Sequence, residues 1–224
     1  MNLPLSPRLL ACAKHISGGI RVADIGCDHG YLGIHLLLTG KASHVIAADV
    51  NAAPLESAMK NAEKYAVADK MSFYLSDGAQ NIPRNYDALI CAGMGGDTII
   101  HILENAPLLK DRDTKLVLQC QSKTPMLRRY LSDNGWHIAY EEVLRDGKFL
   151  YTVMRVLYRP ERAKLTVGEC FLSPALLQHD TPLLAEYYER IASGLRLAVE
   201  HQQDEEKAAI LAELEMLYHR RNET

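Results

Sequence analysis

The sequence has few of the features that mark secreted, membrane-spanning or metal-binding proteins. Its five cysteines form no Cys-x-x-Cys pair, so neither a disulfide framework nor a zinc site is expected. No apolar run reaches the roughly 20 residues that cross a bilayer, and the N-terminal segment lacks the apolar core of an export signal. A content of 48% hydrophobic and 24% charged residues is typical of a folded globular chain. We therefore expect a cytoplasmic protein with no metal and no membrane partner.

Neither sign of charge dominates, since the formal net charge of the 224 residues is −3. The charges are nevertheless unevenly spread. Acidic residues outnumber basic ones after residue 160, whereas residues 123–164 hold more basic than acidic residues. That stretch is compatible with a positive face for nucleic acid, and ordinary solvated side chains explain it equally well.

The most informative stretch is residues 21–33. Its first part, residues 21–25, is predicted to be a buried parallel strand, and a helix is predicted to follow from Tyr31. Between them, Gly26 and Gly30 let the backbone turn tightly and bring N–H groups close to a ligand at the positive end of the helix. A second buried strand ends at Asp49, where a carboxylate can accept hydrogen bonds from ribose hydroxyls. The pattern predicts a nucleotide-binding corner.

The chain then continues to alternate strands with helices. Further strands are predicted at residues 71–75, 86–91 and 115–120. This alternation favours a parallel sheet with helices on both faces. Asp146-Gly147 joins two β-rich runs, residues 136–145 and 149–157, and predicts an antiparallel hairpin.

After Arg159-Pro160 the sequence is predicted to be helical. Leucines in near-heptad order between residues 182 and 221 predict two helices that fold back as an antiparallel, coiled-coil-like pair. We divide the chain into residues 1–159 and residues 160–224. The predicted fold is thus an α/β sheet of parallel strands closed by an antiparallel hairpin, with a helical appendage for RNA binding or dimerisation.

Five alternating strands closed by a hairpin resemble the Rossmann-like class I S-adenosylmethionine-dependent methyltransferases. The resemblance implies that Asp24 holds the methionine amino group of the cofactor. It also implies that Asp49 binds the ribose and that Asp77 accepts from the adenine amino group. The structural alternatives are a helix-capping aspartate at Asp24 and a plain Asp-Gly turn at Asp77.

Two stretches depart from the usual class I pattern. Asp28 stands where many of these enzymes keep a second glycine, so its carboxylate is expected to point toward the methionine end or the substrate. His29 beside it adds an imidazole, a side-chain type common in acid–base catalysis, although a lone histidine is more often structural. After the fourth strand, a loop is predicted at residues 92–96, Ala-Gly-Met-Gly-Gly, with no side-chain acceptor and no aromatic ring. Enzymes that methylate exocyclic amines commonly carry Asn-Pro-Pro-Tyr there, so a ring atom that is already nucleophilic is the predicted target.

Three motifs, at residues 24–32, 76–78 and 92–96, closely resemble the bacterial tRNA (adenine-22 N1)-methyltransferase family. The likeness extends to Leu-Ser-Pro-Arg-Leu at residues 5–9 and to the helical tail, so it covers essentially the whole chain. Three positions differ from the residues frequent in the family, namely Gly33, Asp49 and Ser76. None of these differences removes a needed chemical group, although Gly33 is expected to loosen the helix start.

The resemblance implies S-adenosyl-L-methionine as the cofactor, tRNA as the substrate and nitrogen 1 of adenine as the methylated atom. Asp28 is the candidate catalytic residue, as a base, as a stabiliser of the cationic base, or as a cofactor ligand only. The cofactor-binding candidates are Asp24, Gly26, Cys27, His29, Gly30, Asp49, Val50, Asp77, Gly78, Gly93 and Met94. The candidates for substrate contact are Arg8, Tyr31, Gly95, Lys123, Arg128 and Arg129. The protein is expected to be a monomer, or a homodimer through the C-terminal helices.

Two other classes of function stay open at this point. A methyltransferase that acts on another RNA, a small molecule or a protein would share the same cofactor half. A non-catalytic module that binds only the cofactor or RNA would keep the glycines but would not need Asp28. A nicotinamide dehydrogenase is disfavoured by the hairpin and by the incomplete Gly-x-Gly-x-x-Gly pattern.

Overall fold

The architecture is a seven-stranded sheet flanked by helices. It is described from a computed structural model that covers residues 3–111, 113–178, 182–202 and 204–223. The strands are β1 (Ile20–Ile25), β2 (Ala42–Asp49), β3 (Met71–Leu75), β4 (Ala88–Gly95), β5 (Lys115–Ser122), β6 (Trp136–Asp146) and β7 (Phe149–Tyr158). Their order across the sheet is β3-β2-β1-β4-β5-β7-β6. The first five are parallel, and β7 runs antiparallel to both β5 and β6. The predicted fold class is confirmed.

Helices flank the sheet, and the one that follows β1 begins at Tyr31, as predicted. They are α1 (Pro7–Lys14), α2 (Tyr31–Leu38), α3 (Ala52–Lys64), α4 (Gly96–Glu104), α5 (Thr124–Asp133), α6 (Val167–Phe171), α7 (Pro174–Leu177), α8 (Leu184–Gln202) and α9 (Glu205–Asn222). Two short 3-10 helices lie at Ala68–Lys70 and Pro107–Asp111. No helix in these described ranges is long and apolar enough to cross a membrane.

Both faces of the central parallel strands are buried, which explains why most residues of β1, β2 and β4 are apolar. Successive residues of β2 enter opposite cores: Val45 and Ala47 pack with α1, α2 and α3, whereas Ile46 and Ala48 pack with α4 and α5. The chain order reverses between β1 and β4, since helices on opposite faces follow these neighbouring strands. In open α/β sheets a crevice for ligands lies at this reversal, outside the carboxyl ends of the strands.

The fourth strand is longer than predicted. Residues 92–96 were expected to form a loop, but β4 continues along β5 to Gly95, with irregular register around Met94. A side chain accompanies the irregular register: the amide N–H of Gly93 donates to Oε1 of the buried Gln119, 2.9 Å away on β5. The glycine segment is therefore held by the sheet.

The C-terminal helices form the predicted antiparallel pair. Arg196 on α8 bonds Glu215 on α9, and the rings of Tyr188 and Tyr218 stack at 3.8 Å, so the two helices run in opposite directions. Their apolar face shares a core with Val143 and other residues of the β6–β7 hairpin. The boundary after residue 159 stays a prediction.

Arg128 connects the sheet to the helical part from the interior. Its side chain has 0% exposure, and its guanidinium contacts Glu141 on β6 at 2.7 Å. It also donates to the carbonyl oxygens of Cys170 and Phe171, at 2.9 and 2.7 Å, and to the hydroxyl of Tyr187. The prediction that Arg128 contacts the substrate is wrong, because every direction from the guanidinium is occupied by protein and the charge is neutralised by Glu141.

Candidate active site

A cavity of about 260 Å³ opens at the carboxyl ends of β1 and β4. It is where the chain reversal predicts a ligand crevice. The lining residues are Arg8, Leu9, Asp24, Gly26, Cys27, Asp28, His29, Tyr31, Leu32, Ala92 and Gly93. We call residues 26–30 the glycine corner and residues 92–96 the glycine segment. The cavity thus brings the glycine corner together with α1 and with the glycine segment.

Asp24 places an acid in the wall of this cavity. It lies near the end of β1, is buried, and its Oδ2 has no hydrogen-bond partner in the part of the chain that the structure describes. Burial raises the pKa of this carboxyl, a hydrogen bond from the backbone of Gly33 lowers it, and the charge of Asp49 raises it; together these effects give a pKa of about 7. A buried acid without a partner is costly unless a ligand cation completes it.

The glycine corner is tied to the neighbouring strand. The amides of Gly26 and Cys27 both donate to the carbonyl oxygen of Ala48, at 2.8 and 3.0 Å. Gly26 has a φ of +70°, and a Cβ built there would lie 2.2 Å from Cε of Met94. Any larger residue at this position would therefore displace the side chain of Met94. Burial raises the pKa of the Cys27 thiol, so this residue contributes backbone and packing while its thiol stays protonated.

Gly30 begins helix α2 in the conformation that the motif requires. It is the N-cap residue and has a φ of +72°. A Cβ on Gly30 would lie 2.9 Å from Cβ of Ala58, so the glycine also lets α3 pack closely. Both glycines of the corner thus have a steric reason to be glycine.

Asp28 presents its carboxylate outward from the corner. Its φ is +50°, a left-handed conformation in which aspartate and asparagine are tolerated better than most residues. The side chain is 71% exposed, and its Oδ1 lies 3.6 Å from Nε2 of the half-exposed His29. The ring of His29 in turn lies 5.9 Å from that of Tyr31, between centroids. A carboxylate, an imidazole and a phenol therefore share the mouth of the cavity.

Asp49 ends β2 beside the corner, as predicted. Its Oδ2 accepts from the amide of Asp28 at 3.3 Å, and its Oδ1 accepts from the amide of Asn51 at 3.0 Å. Val50, the next residue, is 63% exposed. A carboxylate beside an open apolar surface suits a ribose that carries a flat base.

Asp77 and Gly78 follow β3 at the same edge of the sheet but do not line the cavity. Oδ2 of Asp77 lies 3.2 Å from Nε2 of His101 on α4. No sequence pattern points to His101, because Asp77 lies 24 residues away and their contact depends on how α4 packs. Gly78 is buried against Ile102.

The glycine segment of β4 supplies the other wall. Gly93 lines the cavity, and Met94 lies over Gly26. Gly95 is the N-cap of α4, where Asp97 and Ser122 approach it closely. Gly93 and Met94 are thus brought together with the corner, whereas Gly95 lies at the start of α4.

The basic candidates lie in different surroundings. Arg8 lines the cavity and forms an ion pair with Asp146, 3.3 Å away. Lys123 has a φ of +59° at the start of α5, and its ammonium lies 2.9 Å from Asp97. Arg129 is exposed on α5 but faces Cys170 in the helical part, and that contact raises the pKa of its guanidinium. Of the four basic candidates, only Arg8 reaches the cavity itself.

No group of acidic, histidine or cysteine side chains in the described ranges has the arrangement of a metal site. The donor set suits a different ligand. The orphaned carboxylate oxygen of Asp24 fits an ammonium, and the carboxylate of Asp49 fits a diol. Gly26 and Gly30 shape the turn between these two acids, because both have positive φ values that glycine adopts without strain. The residues present therefore fit S-adenosylmethionine, whose amino acid and nucleoside ends carry these groups.

Comparisons with known proteins agree with this geometry. Residues 5–154 match the family described as methyltransferase domain. The Bacillus subtilis tRNA (adenine(22)-N(1))-methyltransferase is 35% identical over 157 residues, 68% of this chain and 65% of that protein. A Mycoplasma genitalium protein, provisionally named a tRNA methyltransferase, is 31% identical over 172 residues, 75% of this chain and 76% of that protein. A Streptococcus pneumoniae structure in complex with S-adenosyl-L-methionine, provisionally named a tRNA (m1A22) methyltransferase, has a TM-score of 0.85. It is 28% identical and covers 96% of this chain and 100% of that one.

Proposed function

Because this chain belongs to the bacterial tRNA (adenine-22 N1)-methyltransferase family, we propose that it transfers a methyl group from S-adenosylmethionine to nitrogen 1 of adenosine 22 in tRNA. The observation that carries the proposal is the cavity at the carboxyl ends of β1 and β4. Two acids line it together: the buried Asp24, whose Oδ2 has no hydrogen-bond partner among the described residues, and the exposed Asp28.

Asp24 and Asp49 would hold the two ends of the cofactor. Asp24 would pair with the ammonium of the methionine part, and Asp49 would accept from the ribose hydroxyls. Val50 offers an exposed apolar surface for the adenine ring, with Asp77 at the same edge to accept from its amino group. When bound, the cofactor supplies an electrophilic methyl group on a sulfonium sulfur.

The substrate nitrogen needs little activation. Nitrogen 1 of adenine carries a free lone pair at neutral pH, so positioning it is the main task of the protein. The new N–C bond leaves the base with a positive charge. The carboxylate of Asp28 would stabilise that charge or accept a proton from the exocyclic nitrogen. Its high exposure makes it the acid that an incoming base can reach.

The reacting nitrogen lies on the base-pairing edge, so adenosine 22 has to leave its stack before reaction. Tyr31 lies at the cavity mouth, where a flat base would enter, and Arg8 lies beside it. Both are proposed to contact the substrate. Lys123 and Arg129 are proposed to contact the RNA backbone farther away. A cytoplasmic location, and a monomer or a dimer through the C-terminal helices, stay predictions.

The test is methyl transfer from labelled S-adenosylmethionine to a tRNA transcript, followed by mass spectrometry of the nucleosides. We expect 1-methyladenosine from a transcript with adenosine 22 and none from the same transcript with guanosine 22. Label in another nucleoside would point to a different RNA target. Cofactor binding without transfer to any tRNA would favour a small-molecule or protein substrate, or a non-catalytic role.

A further inference from the structure

The turn of the β6–β7 hairpin lies at the same edge of the sheet as the cavity. We call residues 146–149 the hairpin tip. Asp146 ends β6 and pairs with Phe149 at the start of β7. Its carboxylate contacts Arg8, a cavity-lining residue. The hairpin tip therefore contacts a residue of the cavity wall directly.

An aromatic ring is exposed at this tip. Phe149 is 44% exposed, and its ring lies 6.1 Å from that of Tyr151, between centroids. The two residues share one face of β7, since side chains alternate along a strand. Tyr151 packs in the core that contains α1, whereas Leu150 packs on the other face with the C-terminal helices. Phe149 thus faces the side of the sheet on which α1 and Arg8 lie.

The tip also carries a basic side chain, Lys148, next to the exposed ring. Arg145 pairs with Glu186, and Asp146 pairs with Arg8. Lys148 has no carboxylate partner within the described part of the chain, and its ammonium lies 5.4 Å from the centroid of the Phe149 ring. An exposed ring beside a free cation suits a polyanion that carries flat bases, because the ring can stack on a base while the ammonium pairs with a phosphate.

We propose that the hairpin tip is an RNA-docking element, in which Phe149 stacks on an unpaired base of the tRNA and Lys148 binds a neighbouring phosphate. The inference rests on the proposed function and adds the place where RNA is held next to the cavity. A base held at the tip would fix the strand close to the cavity mouth. Adenosine 22 could then enter the cavity while its neighbour stays stacked on the protein.

The test compares substitutions at the tip with a matched pair of residues at the opposite edge of the sheet. There, Lys110 lies 5.8 Å from the ring centroid of Tyr158, which ends β7. F149A is expected to raise the Kd and KM for tRNA roughly 5- to 150-fold, the range typical of base–aromatic stacking. The Kd for S-adenosylmethionine should not change. F149W should keep tRNA binding, since it keeps a ring.

K148A is expected to lower the slope of log Kd against log salt concentration by about 1, the loss of one phosphate contact. K110A should leave this slope unchanged. Wild-type kinetics for tRNA in F149A would overturn the inference while leaving the proposed function intact. If the wild-type protein methylates no tRNA, the proposed function fails, and direct tRNA binding by F149A then decides the inference. If F149A loses cofactor binding or stability, F149L tests the inference instead, because leucine keeps apolar bulk without a ring. Normal tRNA kinetics in F149L would overturn the inference.

Discussion

The backbone amide of Asp28 donates a hydrogen bond to Oδ2 of Asp49, with 3.3 Å between the two atoms. The other oxygen of Asp49 accepts from the amide of Asn51. One acid therefore organises the backbone of both loops beside the cofactor site. Asp28 is held through its amide, so its own carboxylate can be altered without removing the contact that positions it.

The first prediction concerns the charge of Asp28. D28N keeps a side chain that tolerates the left-handed conformation, so the corner should keep its shape. We expect the Kd for S-adenosylmethionine to stay within about twofold, and the rate of methyl transfer at saturating substrates to fall about 100-fold or more. Calorimetry and single-turnover kinetics measure the two quantities. Parallel losses in both would make Asp28 a cofactor ligand rather than a catalytic residue.

The second prediction is a pH dependence of cofactor binding. Burial raises the pKa of Asp24 to about 7, and only the carboxylate form can pair with an ammonium. Affinity for S-adenosylmethionine should therefore fall as the pH drops below about 7, by at most tenfold per pH unit because one proton is involved. Titration calorimetry from pH 5.5 to 8 measures it. D49N should keep this loss of affinity at low pH, and D24N should abolish it. If D24N shows the same pH dependence as the wild type, another group is responsible.

The third prediction concerns the stability of the protein without cofactor. The pKa of Asp24 is about 7 in the folded state and near its ordinary value of 3.8 in the unfolded state. The unfolded state therefore releases this proton first as the pH rises, and the folded state loses stability between these two values. D24N removes this cost. The stability gain of D24N is its free energy of unfolding minus that of the wild type. This gain should be about 2 to 3 kcal/mol larger at pH 8 than at pH 5. Urea unfolding at the two pH values tests it, and an equal difference at both would contradict it.

The fourth prediction concerns the buried pair of Arg128 and Glu141. R128A leaves the carboxylate of Glu141 buried without its partner, and should lower the free energy of unfolding by about 3 to 5 kcal/mol. R129A is the matched control, since Arg129 follows on the same helix but is exposed, and it should cost about 0.5 kcal/mol or less. Urea midpoints of both variants measure the difference. Similar midpoints would mean that the pair contributes little.

The sheet and its nucleotide corner were predictable because their signals are local. Gly26, Gly30 and the apolar runs define strand, turn and helix within a few residues, and Asp146-Gly147 defines the hairpin in the same way. The fate of Arg128 was not predictable. Its partners lie 13 to 59 residues away, so its burial depends on how the C-terminal helices pack on the hairpin.

The candidate site follows the same rule. Asp24, Asp28 and Asp49 belong to motifs whose strand ends meet at one edge, and the structure brings them together. The extension of β4 to Gly95 involves a contact with the side-chain amide of Gln119, 26 residues away on the next strand, and His101 reaches Asp77 only through the packing of α4. Phe149 was placed in a strand correctly, but neither its exposure nor its nearness to Arg8 follows from a strand pattern.

The network around Arg128 has a consequence for how such a protein can change over generations. Glu141 accepts hydrogen bonds from both Arg128 and Ser173, and Arg128 also reaches Tyr187, so four stretches of sequence meet at one buried ion pair. Replacing any one member alone leaves the others with an unmet polar group. An apolar interior of similar volume can be equally stable, but reaching it requires passing through at least one poorly folded ancestor or changing several positions together. The positions joined by this network are thus expected to accept substitutions as a set.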